Sequence, residues 1–426
     1  MQTKLIVLFL LFLSTVPNLG FFTIPSFLIM SFITFIFVLR IFGKSNLFES
    51  NIRYHSLRLT FILLLFYSSI YYGGLYQNTS SIGFGNALIF IIAMVFLVQY
   101  LGISILRNFT LPLIIVSYIM LSVWTITNSP QPHVDAFIQQ KEAPLKLLQG
   151  INPYNTHYTK VYLNVDPNYF GYLPFSFIYH VPFVLLFSDP RYSIAVSNLI
   201  SAFVIYKLFS MKKRKDDSFV FIALFLFLPR SFYVLEHMYL DPIIFSFFLL
   251  FFYYYMRKNY SKSIIFLSLF FSFKQHLIML YPLLFKHIYS KLVTVKNILI
   301  FSLPFLLPLY FFLREPDAFL RNVIFFFNPQ KIPAPVSNSL SFSTFLTHYF
   351  PILSHNSIFV SFVLFILFFI IYAFVIANTR NMFFSKLVTS LLLFNFLMFH
   401  SFYNHYYLVA LFLLFDIMNE FLTINV

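Results

Sequence analysis

Apolar runs of roughly 20 residues recur along the whole chain, and no other feature restricts its fold as strongly. A run of that length spans the hydrocarbon core of a bilayer as an α-helix. Charged residues make up only 10% of the 426 residues, whereas soluble domains carry roughly 25%. The runs are continuous rather than alternating, which is not the pattern of an outer-membrane barrel. We therefore predict an all-α fold, a polytopic transmembrane helical bundle.

The basic residues, which give a formal net charge of +15, fall mostly in short loops between the runs. The positive-inside rule assigns such loops to the cytoplasm, so this charge is not a signal for nucleic-acid binding. Loops assigned to opposite sides of the membrane must be separated by an odd number of crossings, so 172–188 and 340–352 are predicted not to cross. The two halves of 263–285 are each too short to span the bilayer. We expect about 12–14 transmembrane helices in all. The full crossings are predicted at 4–20, 22–42, 58–76, 83–106, 110–127, 192–210, 218–235, 240–256, 295–313, 357–377, 384–400 and 404–420.

The scarce polar residues collect on the non-cytoplasmic side of this threading. The largest group is the stretch HVDAFIQQKEAPLKLLQGINPYNTHY, residues 133–158, and the whole chain has only 13 carboxylates. Charged groups among apolar helices are costly and usually serve a site, so their convergence predicts one. With zero cysteines and no metal spacing among the histidines, we predict no metal. The predicted outer residues are His133, Asp135, Asn152, Tyr154, Asp166, Tyr172, Glu236, His237, Asp241, Lys274, Gln275, His276, 328–335, Asn404 and His405.

Each of the main candidates also has a purely structural interpretation. Asp135 would cap the helix that follows it, and Asp241, which precedes a proline, would cap another. Lys274 would extend its ammonium to the interface, and His405 would belong to an interfacial belt. The sequence leaves these alternatives open.

Asp135 shortly after an apolar run, with a following helix that ends in LLQGINPY, resembles the GT-C superfamily of integral-membrane glycosyltransferases. The likeness is strongest to the polyprenol-phosphate-mannose-dependent mannosyltransferases. The segments YLPFSFIYHVPF, YLDPIIFSFFLL and SFKQHLIMLYPLLF are similar, in this order, to segments of that and related families. The resemblance covers about residues 110–290. His133 stands where the family often has a second acidic residue.

The resemblance implies a single transmembrane domain, 1–426, in three parts. Residues 1–107 would form N-terminal helices without a counterpart in the family. Residues 108–290 would form the catalytic module, with a large external loop at 128–171 that contains interfacial helices. Residues 291–426 would form C-terminal helices.

The implied function is transfer of a hexose, with mannose expected, from a polyprenyl-phosphate donor to a hydroxyl of a lipid or glycan acceptor. It would occur without a cofactor on the outer face of the cell membrane, with membrane lipids and no nucleic acid as partners. The resemblance gives Asp135 the role of general base. It places the donor phosphate on Lys274, Gln275 and His276. The implied substrate contacts are His133, Asn152, Tyr154, Tyr172, Glu236, His237, Asp241, Asn404 and His405.

Three other functions remain open at the level of sequence. A transporter or lipid flippase would often show internal repeats and glycine-broken helices, and this chain has only nine glycines and no repeat. A surface-polysaccharide ligase or polymerase would use a lipid-diphosphate donor and external arginines. A non-catalytic membrane scaffold is the third.

Overall fold

The computed structural model describes residues 2–42, 54–103, 107–162, 169–292, 294–324, 338–354, 357–379, 382–398 and 400–423. Within these ranges the regular elements are helices, which confirms the predicted all-α class. Asp166 and the loop 328–335, both predicted on the outer side, lie outside the described residues.

The α-helices are numbered along the chain. They are α1 (Gln2–Thr15), α2 (Ile24–Phe42), α3 (Tyr54–Ile70), α4 (Thr79–Tyr100), α5 (Thr110–Asn128), α6 (Asp135–Leu148), α7 (Phe175–Phe187), α8 (Tyr192–Met211), α9 (Lys215–Leu226), α10 (Ser231–Glu236), α11 (Asp241–Met256), α12 (Tyr260–Phe271), α13 (Tyr281–Leu292), α14 (Val295–Ser302), α15 (Leu306–Arg314), α16 (Pro316–Val323), α17 (Phe342–Tyr349), α18 (Pro351–Ser354), α19 (Ser357–Ala377), α20 (Phe383–Leu397) and α21 (Tyr403–Thr423). Short 3-10 turns lie at Arg107–Phe109, Gln275–Leu280 and Leu303–Phe305.

Seven helical segments in the described part of the chain are long and apolar enough to cross a membrane. They are α2, α4, α5, α8, α21, the segment Val295–Arg314, and Ile358–Ala377 in α19. Six shorter apolar helices of 10–17 residues accompany them. By length and composition the chain is therefore a multi-pass helical membrane protein. The predicted total of 12–14 crossings stays a prediction.

The span predicted at 218–235 is not one continuous helix, so this prediction is wrong. α9 ends at Leu226, and Arg230 adopts a left-handed conformation (φ 58°) before α10 begins. Pro229 has no backbone N–H with which to continue a helix. The Arg230 N–H instead donates to Tyr71 O at 2.7 Å, and its Nη1 donates to Gly73 O at 2.7 Å. The break thus fastens the segment to the loop that follows α3.

The chain forms two compact units, and the first comprises Met1–Leu64, Leu280–His287 and Asn328–Val426. Within it α1 packs against α2 and α21, and α20 packs against α2, α19 and α21. The buried Lys4 ammonium bonds Asp416 at 2.8 Å and Glu420 at 2.7 Å, which joins α1 to α21. Asn404 and His405 lie at the start of α21 and so belong to this unit.

The second unit comprises Leu65–Met279 and Ile288–Phe327. Here α11 packs against α8 and α12, α5 contacts α8, α9 and α10, and α6 packs on α7. The predicted catalytic module, 108–290, falls within this unit except for Leu280–His287. Asp135, Glu236, Asp241 and Lys274 all lie in this second unit.

Candidate active site

Asp135 is the first residue of α6 and follows Val134, whose backbone is extended. Its Oδ1 accepts a hydrogen bond from the Ala136 N–H at 2.8 Å, and its Oδ2 accepts one from the Tyr169 hydroxyl. A carboxylate in the first turn is also favoured by the helix dipole. The N-cap position is Val134, and no side chain caps the helix, so the predicted capping role of Asp135 is wrong. The carboxylate lies in the first turn and also contacts the loop predicted to be external.

A narrow cleft opens beside Asp135, lined by Ile138 and Gln139 from α6 and by tyrosines of the loop. Its free volume is about 10 Å³, roughly the space that one water molecule requires. Burial and the charge of Asp135 raise the pKa of Tyr169 far above its ordinary value, so this hydroxyl keeps its proton and donates. An ionised carboxylate has about four acceptor positions, and these two hydrogen bonds use two of them. Asp135 retains acceptor capacity toward the cleft.

A short segment, Tyr169 to Leu173, links Asp135 to a second polar group. Its first residue binds Asp135, and its last donates its N–H to Phe273 O at 3.1 Å. The Gln275 amide donates to Gly171 O at 3.2 Å, which fastens the middle of the segment. Four Cα steps separate the two ends, so they lie at most about 15 Å apart. That is half the thickness of a bilayer core of roughly 30 Å.

Tyr172 lies between the two groups. Burial raises the pKa of its hydroxyl above the ordinary value, and the negative charges of Asp135 and Asp241 raise it further. Both carboxylates therefore act electrostatically on one phenol. Tyr172 is half-buried.

The second polar group is a buried ion pair. Lys274 Nζ donates to Asp241 Oδ1 at 2.9 Å and to Oδ2 at 3.1 Å, and the two residues are 4% and 0% exposed. Asp241 opens α11, and Lys274 lies in the break between α12 and the 3-10 turn that begins at Gln275. The predicted break at 274–276 is thus present, and the pair joins it to the start of α11. His276 lies half-buried in the same turn.

Gln275 also donates to Val323 O at 3.1 Å, so its amide holds two backbone carbonyls. Of the three predicted phosphate ligands, Lys274 is therefore bound to a carboxylate and Gln275 to the main chain. A phosphate would have to join or displace these contacts, and the assignment stays a prediction.

Glu236 is fully buried and holds the loop after α3. Its Oε2 accepts hydrogen bonds from the Leu75 N–H at 2.7 Å and the Tyr76 N–H at 3.4 Å. Burial raises the pKa of this carboxyl, and these hydrogen bonds oppose the shift. The Tyr76 hydroxyl in turn donates to His133 O at 2.7 Å. Glu236 thus positions the chain two residues before Asp135 through Tyr76.

His237 lies next to Glu236, with its Nδ1 3.6 Å from Glu236 Oε2 and 3.0 Å from Tyr233 O. Burial lowers the pKa of this imidazole to about 3, so the ring is neutral at neutral pH. The side chain of His133 is exposed, and its carbonyl makes the contact with Tyr76. These residues surround the start of α6 and lie outside the lining of the cleft.

Gly74 makes the Glu236 contact possible, because a Cβ at this position would lie 1.5 Å from Glu236 Oε2. We expect Gly74→Ala to displace the carboxylate from the Leu75 and Tyr76 amides. The free energy of unfolding should fall by about 2–3 kcal/mol, because buried polar groups lose their partners. Denaturant unfolding in detergent measures the change.

Gly83→Ala is the matched control, because nothing lies within 4 Å of a Cβ there and Gly83 is inside α4. An alanine in a helix interior is expected to be neutral or stabilising by up to about 1 kcal/mol. Equal losses of stability in the two variants would remove the assigned role of Gly74.

The other predicted substrate contacts make hydrogen bonds within the protein. Tyr154 is buried among phenylalanine rings and donates its hydroxyl to Tyr172 O at 2.7 Å. Asn152 Oδ1 accepts from the Tyr154 N–H at 3.1 Å. The structure therefore gives both residues a role in ordering the loop. Asn404 and His405 lie in the first unit, where His405 O accepts from the Asn395 amide at 3.2 Å.

Three features of the site were not predicted from the sequence. Tyr169 is one of 29 tyrosines and carries no signal of its own. The pair Gly73–Gly74 in a chain with nine glycines was a usable signal for a close backbone approach. Arg191 is fully buried and donates to Ser129 O at 2.7 Å, Ile126 O at 3.3 Å and Asp189. It satisfies carbonyls at the C-terminal end of α5, from which the loop predicted to be external departs.

Among the described residues, no three His, Asp or Glu side chains come together as metal ligands. Comparisons with protein-family models, with curated proteins and with solved structures found no match for this chain. The site is therefore interpreted from its own geometry and from the sequence resemblance.

Proposed function

We propose that the protein is a membrane glycosyltransferase that moves a hexose from a polyprenyl-phosphate donor to an acceptor hydroxyl. One observation carries the proposal. A carboxylate with free acceptor capacity, Asp135, is linked by the segment from Tyr169 to Leu173 to a buried Lys274–Asp241 pair. A base and a cation that one short segment joins suit the two ends of a transfer reaction.

The proposed step needs one base and no covalent intermediate. The acceptor oxygen attacks the anomeric carbon, the bond from that carbon to the phosphate oxygen breaks, and polyprenyl phosphate leaves with the electron pair. The acceptor proton passes to Asp135. General-base assistance of this kind contributes roughly 10²–10⁴-fold. A direct displacement inverts the anomeric configuration of the sugar.

The tyrosines around Asp135 fit the same step. Tyr169 remains protonated, because burial and the charge of Asp135 raise its pKa. It can therefore orient the carboxylate and stay a donor through the reaction. Because the cleft is narrow, a sugar ring enters only if Tyr162 moves aside. The proposed bound state therefore differs from this closed arrangement at Tyr162, while Tyr169 keeps its hydrogen bond to Asp135.

At the donor end, Lys274 supplies the cation. A lysine ammonium has three N–H donors and acts toward phosphate as a point charge. Asp241 holds this ammonium through two hydrogen bonds. We propose that the phosphate approaches the ammonium on the side that Asp241 leaves open.

The test is a transfer assay with the purified full chain and radiolabelled polyprenyl-phosphate mannose, with a lipid extract as the source of acceptor. The proposal expects label to move from the donor to a new product with inverted anomeric configuration. Polyprenyl-phosphate glucose and arabinose donors identify the sugar. Consumption of a lipid-diphosphate donor instead would favour a ligase. Movement of intact labelled donor between leaflets, without a new product, would favour a flippase.

A further inference from the structure

A wide cleft lies in the second unit, away from Asp135 and from the Lys274–Asp241 pair. It is shallow and open to its surroundings, and it lies where the turn between α11 and α12 meets the start of α14. Its lining includes the cations Arg257, Lys258 and Lys296 and the polar residues Asn259, Ser261 and Thr294. None of its described lining residues is acidic. The cleft is therefore strongly positive.

The packing of the second unit fixes where these cations stand. α12 contacts α14, and the Ser268 hydroxyl donates to Phe301 O at 2.5 Å. Arg257, Lys258 and Lys296 are exposed in this arrangement. Arg257 stacks near the Tyr253 ring, 5.9 Å from its centroid, and donates to its hydroxyl at 3.2 Å. The charged side chains of the cleft are thus exposed, and the helices beneath them are packed against each other.

The surface next to the cleft is apolar. Val295, Ile298 and Leu299 of α14 are 76%, 54% and 63% exposed, and they flank Lys296. They belong to Val295–Arg314, one of the segments long and apolar enough to cross a membrane. A ligand with a negative head and an apolar tail matches both surfaces at once. A soluble phosphate would contact only the positively charged cleft.

From this juxtaposition we propose that the cleft binds the phosphate-bearing headgroup of an anionic phospholipid, with its acyl chains along Val295, Ile298 and Leu299. The positive-inside rule predicts that this face is cytoplasmic. Basic pockets between transmembrane helices on that side suit anionic headgroups. The inference stands apart from the proposed glycosyl transfer and does not depend on it.

The test titrates the purified full chain in a non-ionic detergent with phosphatidylglycerol and counts bound lipid by native mass spectrometry. Each cation near the surface contributes about fivefold to binding of an anionic lipid. The double variant Lys258→Gln/Lys296→Gln should therefore bind phosphatidylglycerol roughly 30-fold more weakly. Phosphatidylcholine, which has no net charge, should bind weakly to all forms.

The control is Lys212→Gln/Lys213→Gln, which removes two exposed cations from another loop predicted on the same face. It should leave phosphatidylglycerol binding unchanged. An equal loss in both double variants would show general attraction to positive charge and overturn the proposal. Displacement of the lipid by millimolar inorganic phosphate would assign the cleft to a soluble anion and overturn it too. If the cleft double variant does not elute as a folded species, the two single variants, each with a roughly fivefold loss, decide the question.

Discussion

Asp135→Asn is expected to lower the rate of hexose transfer by roughly 10²–10⁴-fold, the usual contribution of a general base. The amide has nearly the same shape as the carboxylate, and its oxygen can still accept from the Ala136 N–H. It cannot take a proton from an acceptor hydroxyl. Donor binding does not involve this step, so kcat should fall while the KM for the donor changes little.

The same substitution should have a small effect on stability. It removes one negative charge from the first turn of α6, and such a charge contributes about 0.3–1 kcal/mol through the helix dipole. Asp317→Asn is the matched control, because Asp317 is an exposed carboxylate in the first turn of α16 in the same unit. If Asp135 only stabilises the first turn of its helix, both variants keep normal transfer rates. A folded Asp135→Asn protein with unchanged kcat would therefore exclude Asp135 as the base.

The order of the helices was predictable because it depends on local composition. Apolar runs such as 357–377 and 404–420 became α19 and α21 nearly at their predicted bounds. The break within 218–235 was not predicted, although Pro229 is a local signal for it. The contacts that hold the break are non-local, since Arg230 bonds backbone carbonyls of Tyr71 and Gly73, more than 150 residues away.

The site was predictable only to the extent that polar residues are rare. The rarity of charged residues among the apolar runs singled out Asp135, Asp241 and Lys274. It did not show that Lys274 binds Asp241, because that contact depends on how α11 and α12 pack. Tyr169 could not be singled out at all, since its role comes from its distance to Asp135 and not from its residue type.

Lys274→Met is expected to destabilise the protein by about 3–5 kcal/mol, because it leaves the buried carboxylate of Asp241 without its partner. Both residues are buried, at 4% and 0% exposure, so water cannot replace the ammonium. The double variant Lys274→Met/Asp241→Asn removes both charges, and it should recover most of the lost stability. Thermal or denaturant unfolding in detergent measures both changes.

The double variant then separates a structural lysine from one that binds the donor. A hydrogen bond to a charged group contributes about 1.5–3 kcal/mol, so loss of a phosphate contact should raise the KM for the donor by roughly 10–100-fold. Lys4→Met/Asp416→Asn/Glu420→Gln, which removes the three linked charges of the other unit, should leave that KM unchanged. A folded Lys274→Met/Asp241→Asn protein with a normal KM would show that the pair only joins α11 to the break after α12. The donor phosphate would then have to bind elsewhere, while the role of Asp135 as the base would be unaffected.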